Sequence, residues 1–297
     1  MFLLNLCDFR YLFHIFKWVM YLKKTLEMIG LTVLICFSFI LTEKTSTIMK
    51  DNDEIMTSLK ENRETFEYAS IDAKILNDEI IPGISGKVVD IEESYQAMKK
   101  VGSYKTNLMV YKTILPEVSL TDNYDKYVVS GNRSKKQITL IFKIDNNQKI
   151  DDIVALLNKN KMQANFFVSS DWASSNINKI KDMSGSGYNF GKLKYDDNND
   201  LFKSIIKINT KQINHYCYSE EKNTKLLESC SKNKEYTILP SIVINDNLLA
   251  TLMKNIQSGS IISISINKNT SKELATTLDY IKSKGYRVVN LDNLLTE

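Results

Sequence analysis

The sequence predicts an α/β fold built on a mainly parallel sheet, and two observations carry that expectation. From Lys136 to Leu295 short apolar runs alternate with longer segments of helical period. QITLIF, ANFFV, TILPSIVI, GSIISISI and YRVVNL are separated by DDIVALLNKN, NINKIKDM, TKLLESCSKN, NLLATLMKNI and KELATTLDYIKSK. Such alternation places parallel strands side by side with crossover helices, in an open sheet or a barrel. The second observation is punctuation: Asp151 and Asp152 open one helical segment, and Gly285 closes the last. With 297 residues, 43% hydrophobic and 25% charged, the chain can bury a full core. Its net charge of +4 is spread without a basic block or an aromatic-interleaved stripe, so nucleic acid is not an expected partner.

Taken in order, residues 1–25 predict a cytoplasmic N-terminal extension and 26–42 a transmembrane anchor. Met28 to Leu41, MIGLTVLICFSFIL, is continuously apolar and, with its flanks, approaches the roughly 20 residues that cross a bilayer core. Arg10, Lys17, Lys23 and Lys24 precede it, so the positive-inside rule leaves the first residues in the cytoplasm. Everything after Glu43 then lies outside, as in a single-pass plasma-membrane protein. A cleaved signal peptide has a similar outline, but no small-x-small site follows the run, and Cys36 lacks the flanks of a lipoprotein site. Residues 1–19, aromatic-rich and containing Cys7, read either as an interfacial helix or second span, or as sequence upstream of a start at Met20.

Residues 43–79 are charged and lack Pro and Gly, with Ile48, Ile55, Leu59 and Phe66 near one helical face. This predicts a helical stalk, read as a solvated spacer, with a coiled-coil protein partner engaged through it as the alternative. IIPGISGKVVD ends it, because Pro82 and two glycines cannot continue a helix. Residues 80–132 predict a small α+β module with a helix from Ile91 to Val101 and extended segments at Leu108 to Leu120 and Tyr127 to Val129. A module of that size buries too little core alone and is expected to pack on the α/β domain at 133–297.

ITLIF, KMQANFFVSSDW, SGYNFG, SGSIISISI and LDYIKSKGYRVVNLDNLL, in that order, resemble the landmarks of the polysaccharide deacetylase family, the NodB-like or carbohydrate esterase family 4 domain. The resemblance covers roughly residues 136–295, an ordinary domain size. It implies an incomplete (β/α) barrel whose strand ends hold a divalent metal such as zinc on an aspartate and two histidines, and which removes acetyl groups from sugars. That chemistry needs a metal to activate water, a carboxylate base and a neighbouring acid. By the resemblance, the base and metal-aspartate positions fall at Lys143 and Ile144, the histidine pair at Leu193 and Asp197, and a late histidine near Ser265. A further active-site loop aligns loosely with INHYCYSE, residues 213–220, and shares none of the family's residues there. The resemblance therefore implies a pseudoenzyme with no catalytic residue and no metal cofactor.

The residues themselves agree. The chain has two histidines, His14 and His215, so its outer domain cannot form a two-histidine site. Asp145, Asp196 and Asp197 are left either as an oxygen-only cluster for Ca²⁺ or Mg²⁺, or as a solvated turn that starts the next helix. Lys143, Asp145, Asp196, Asp197, His215 and Tyr216 are the candidate ligand contacts at the barrel mouth. Lys143 pairs with Asp145, binds a ligand carboxylate, or faces solvent in place of a discarded acid. His215 reads as a base at the mouth or as a structural residue, and Trp172 as a core or rim aromatic. Cys217 and Cys230 are either a disulfide or two buried thiols. The expected function is that of a membrane-anchored, extracytoplasmic, deacetylase-like protein without deacetylase activity that binds cell-envelope glycan. A divergent active carbohydrate deacetylase and a structural partner-binding envelope protein stand as alternatives.

Overall fold

The computed structural model describes residues 5–145, 150–194, 199–210 and 215–297. It contains two compact units, Met1–Glu67 with Val89–Lys112, and Tyr68–Val88 with Thr113–Glu297. In the first unit a helix at Asn5–Asp51 runs through the apolar segment, whose side chains are exposed. Asp53 starts the next helix, Glu54–Asn62, by accepting a hydrogen bond from the Ile55 amide at 3.0 Å. Ile55, Met56 and Leu59 of that helix are buried with Tyr95 and Met98 of the helix Ile91–Lys99.

This corrects two expectations. The stalk is not helical over 43–79: regular helix stops at Asn62, a 3₁₀ turn covers Arg63–Thr65, and residues from Tyr68 onward belong to the second unit. The apolar stripe at Ile55 and Leu59 is a core face, which no stalk would need. Nor is 80–132 one module. Its middle packs with the helix Glu54–Asn62, while its two ends supply strands to the second unit.

The strands, in chain order, are β1 (Lys74–Leu76), β2 (Glu79–Ile81), β3 (Gly86–Val89), β4 (Tyr111–Ile114), β5 (Tyr127–Val128), β6 (Gln137–Ile144), β7 (Asn165–Val168), β8 (Asn189–Lys192), β9 (Tyr216–Tyr218), β10 (Tyr236–Ile238), β11 (Ile242–Ile244), β12 (Ile261–Ser265) and β13 (Arg287–Val288). One sheet has the order β11-β12-β6-β7-β8, all parallel, with β13 alongside the start of β6. A second has the order β1-β2-β5-β10-β9, parallel apart from β1 with β2, and a third is the two-stranded β3-β4. Among the described residues no ladder closes these into a ring, as an incomplete barrel requires.

The run TILPSIVI, read as one strand, is two. Pro240 has no N–H to continue a ladder, and the chain changes sheets around it. Leu239 N donates to Val128 O at 3.0 Å on one side, and the Ser241 hydroxyl bonds the backbone of Ile261 on the other. Gly285 takes a left-handed conformation (φ +73°) after the helix Thr270–Ser283, as its place in the sequence implies, but a further helix at Leu291–Leu295 follows.

Strand β6 is the long central strand, and its alternation separates two cores. Ile138, Leu140, Phe142 and Ile144 pack in a cluster with the surrounding helices, together with Phe166, Phe190 and Trp172. Ile141 packs in a second cluster with Phe167, Tyr218, Ile238, Ile261 and Leu291. Trp172 is thus a core residue and not a rim aromatic. A side chain at Gly191 would collide with the Phe167 ring, its Cβ falling 2.4 Å from Cε1, so β8 needs a glycine where it crosses that ring.

Both β13 and β7 use the same edge of β6, β13 at its start and β7 at its end. The buried Asn165 fills the place where they part. Its amide donates to Thr139 Oγ1 at 2.8 Å and Leu140 O at 3.0 Å and accepts from Leu291 N at 2.9 Å, while Thr139 Oγ1 donates to Val289 O at 2.6 Å. Replacing Asn165 by Ala strands two backbone groups, Leu140 O and Leu291 N, and should lower unfolding stability by about 3 kcal/mol. Chemical denaturation measures this; a loss below about 1 kcal/mol would show that water or rearrangement satisfies those groups.

Candidate functional site

β6, β8, β11 and β12 run parallel, and their C-terminal ends meet the end of β9. A cavity of about 350 Å³ opens there, lined by Lys143, Asp145, Leu193, Lys194, Tyr218, Ser219, Glu220, Ser265 and Ile266. Parallel-strand register puts Lys143 beside Ser265. Three of the positions that the resemblance singles out, Lys143, Leu193 and Ser265, therefore do meet at one mouth. Ile144 does not join them: the two-residue period of the strand turns it, fully buried, into the helix-side core.

The centre of the mouth is an ion pair. Lys143 Nζ binds Glu220 Oε1 and lies 3.4 Å from Asn245 Oδ1, which in turn accepts from Ser265 Oγ at 2.6 Å. The Lys143 side chain is 13% exposed and that of Glu220 38%. Tyr218 donates to Glu220 Oε1 at 3.0 Å and shares a 2.5 Å hydrogen bond with Ser263 Oγ. Burial pushes the Tyr218 phenol well above its ordinary value, the Ser263 hydrogen bond opposing and Glu220 reinforcing the shift.

Several expectations are corrected here. Lys143 does not pair with Asp145 and does not face solvent; Asp145 is held by Lys194 at 2.9 Å. His215 and Tyr216 are not at the mouth, because they sit at the start of β9 and the mouth lies at its end. His215 is exposed and offers its carbonyl to Tyr236 N at 2.7 Å. Tyr216 is buried and donates to Asp292 Oδ1 at 2.5 Å. Asp196 and Asp197 lie outside the described residues. Sequence reasoning missed Glu220 and Asn245, each one or two residues past a strand of three residues; the sign available was a polar residue directly after an apolar run.

These described residues do not fit a zinc ion. An ammonium fills the centre, Leu193 is apolar and packs on the inner core, and the Ser265 hydroxyl is engaged by Asn245. Among the described residues, the ligand-type group that draws together within 4.8 Å is Cys217, Cys230 and Glu235. Its two sulfurs are bonded to one another. The Cys217–Cys230 disulfide joins β9 to the helix Thr224–Lys232 across a Cα–Cα distance of 6.4 Å.

Residues 130–248 match the family model described as Polysaccharide deacetylase, so the chain carries a polysaccharide deacetylase-like domain. It is 22% identical over 281 residues to the uncharacterized protein YlxY of Bacillus subtilis (strain 168), covering 85% of this chain and 87% of that one. In fold it is similar to BA3943 of Bacillus anthracis, described as a CE4 family pseudoenzyme, with a TM-score of 0.62 and 23% identity, over 83% of this chain and 96% of that one. It is also similar to PdaA of Bacillus subtilis, a family 4 carbohydrate esterase, with a TM-score of 0.51 and 18% identity over 59% of this chain and 86% of that one.

Two outcomes are expected from this geometry. Replacing both Cys217 and Cys230 by Ser should cost about 3 kcal/mol, the value for a loop of this length, read as a lower midpoint in chemical denaturation; an unchanged midpoint would mean that packing alone holds β9. Burial raises the phenols of Tyr188, to about 12, and of Tyr216, Tyr218 and Tyr236. A phenol raised in the folded state favours folding fully below its unfolded value near 10, and that contribution is lost as pH rises through the folded value. Phenolate absorbance should show these tyrosines ionising only as the chain unfolds in alkali. Reversible titration of all 15 tyrosines near pH 10, with the fold intact, would contradict this burial.

Proposed function

We propose that the chain is a membrane-anchored, extracytoplasmic protein that has given up metal-dependent deacetylation and uses the strand-end mouth to bind cell-envelope glycan. The observation that carries this reading is the Lys143–Glu220 ion pair, which puts a cation where the family resemblance calls for the carboxylate base. What remains around it suits a hydroxyl- and amide-rich ligand. Asn245, Ser265, Ser219 and the paired charges of Lys194 and Asp145 offer donors and acceptors, with the apolar Leu193 and Ile266 beside them.

Anchoring is supported by the apolar helix Phe16–Asp51, none of whose apolar window is buried. With Lys23 and Lys24 ahead of the apolar run, the N-terminus is cytoplasmic and the deacetylase-like domain lies outside. The Cys217–Cys230 disulfide is in keeping with an oxidising compartment.

The test is isothermal titration of the full chain, in non-ionic polyoxyethylene micelles, with N-acetylglucosamine tetramer, while acetate release is followed in the same samples. Saturable heat without acetate is expected, with binding weakened on the order of tenfold by Lys143→Met, since about 1.4 kcal/mol of polar contact is lost. Acetate release would overturn the non-catalytic reading, and absence of binding would overturn the glycan reading.

A further inference from the structure

A second cavity, of about 630 Å³, lies at the other end of β6, where β13 joins it. It is distinct from the mouth in its charge. At the mouth the cations Lys143 and Lys194 are neutralised by Glu220 and Asp145, which line the same cavity. The second cavity is lined by Lys135, Lys161 and Arg287 with Gln137, Gln163 and Asn293, and no carboxylate is among its lining residues. Among the described residues none of the three cations has a carboxylate within ion-pair distance. Many other lysines of this chain do, among them Lys99 with Asp53, Lys112 with Asp90, Lys203 with Glu235 and Lys222 with Asp78.

The cations are held by defined backbone. Register places Arg287 beside Gln137. Lys161 is fixed in a left-handed conformation (φ 53°) that ends the helix Asp151–Asn160. Lys135 donates to the carbonyl of Thr296, leaving further ammonium protons for a ligand. The Gln163 carbonyl accepts from Asn293 Nδ2 at 3.1 Å, so its amide N–H₂ is left as a donor. Nearby Glu297 spends its carboxylate on the amides of Gly83 and Leu120.

We infer that this cavity is a binding site for a phosphate group. Three cations lining one cavity with no carboxylate among its lining residues match a doubly charged oxyanion better than a carboxylate, and an arginine beside a glutamine offers the forked donors that phosphate oxygens accept. Burial also holds the Lys135 ammonium below its ordinary value, Glu297 partly opposing. A cation desolvated in this way is the kind of group a bound anion stabilises. Glycan recognition at the mouth is a separate matter; either site can fail its test without the other.

The experiment titrates the full chain, in the same phosphate-free micelles at low ionic strength, with glycerol 1-phosphate, with inorganic phosphate and with acetate. Saturable binding of the phosphates and none of acetate is expected, weakened at least tenfold in Lys161→Gln/Arg287→Gln at an unchanged unfolding midpoint. If that double variant unfolds early, the single Lys161→Gln change, at an exposed side chain, should weaken binding about threefold through loss of one charge. Tighter binding of glycerol 1-phosphate assigns the site to organic phosphates, and tighter binding of inorganic phosphate assigns it to the free ion. No saturable binding of either phosphate, equal binding of acetate, or undiminished binding by the variants would overturn the inference.

Discussion

A β-strand turns successive side chains to opposite faces, and in β6 this period sends Ile141 and Lys143 to the inner side while Leu140, Phe142 and Ile144 face the helices. The strand can hold that orientation because it is paired along both edges, with β12 on one and with β13 and then β7 on the other. Asn165 makes the split edge tolerable by occupying backbone groups that neither neighbour reaches. With β6 fixed in register, the ammonium of Lys143 is delivered to the mouth and nowhere else.

An ammonium in that place decides what else the mouth can hold. A divalent ion about 4 Å from it would meet roughly 8 kcal/mol of repulsion at an effective dielectric constant near 20. The two ion pairs at the mouth differ in weight. Lys194 and Asp145 have side chains 66% and 49% exposed, so their pairing contributes little to stability. Lys143 is largely withdrawn from water, and a partly buried charge requires its partner far more. Glu220 and Asn245 are the replacement that makes the lysine compatible with the fold.

Much of the scaffold was legible in the sequence, because parallel strands and crossover helices impose strong periods. ITLIF, ANFFV and SIISIS lie in β6, β7 and β12, and the helices at Asp151–Asn160 and Thr270–Ser283 fall where their patterns put them. Period alone does not show which sheet a strand joins, so TILPSIVI concealed the change of sheet at Pro240. The site was harder for a related reason. Lys143 was visible at the end of a long strand, but Glu220 and Asn245 follow strands of three residues, where an error of one strand length moves attention to the opposite end of the sheet. That is how His215 and Tyr216, at the start of β9, stood in for Tyr218 and Glu220 at its end. The stripe at Ile55 and Leu59 was real, but its partner, the helix Ile91–Lys99, is remote in sequence and invisible to local pattern.

The shortness of β9 gives the disulfide its meaning. Three residues paired to β10 on one edge give few ladder hydrogen bonds, yet this strand must present Tyr218 and Glu220 to Lys143 across the barrel. Its period puts Tyr216 and Tyr218 in the inner core and turns Cys217 the other way. There Cys217 is bonded to Cys230 on the helix that follows, which N-caps on Asn223 only three residues after Glu220. The covalent link thus closes a small loop whose outer edge is the strand and whose inner edge carries the mouth's acid. The position of Glu220 rests on that closure as much as on its salt bridge, so the ion pair and the disulfide are two parts of one device that holds the mouth in its present form.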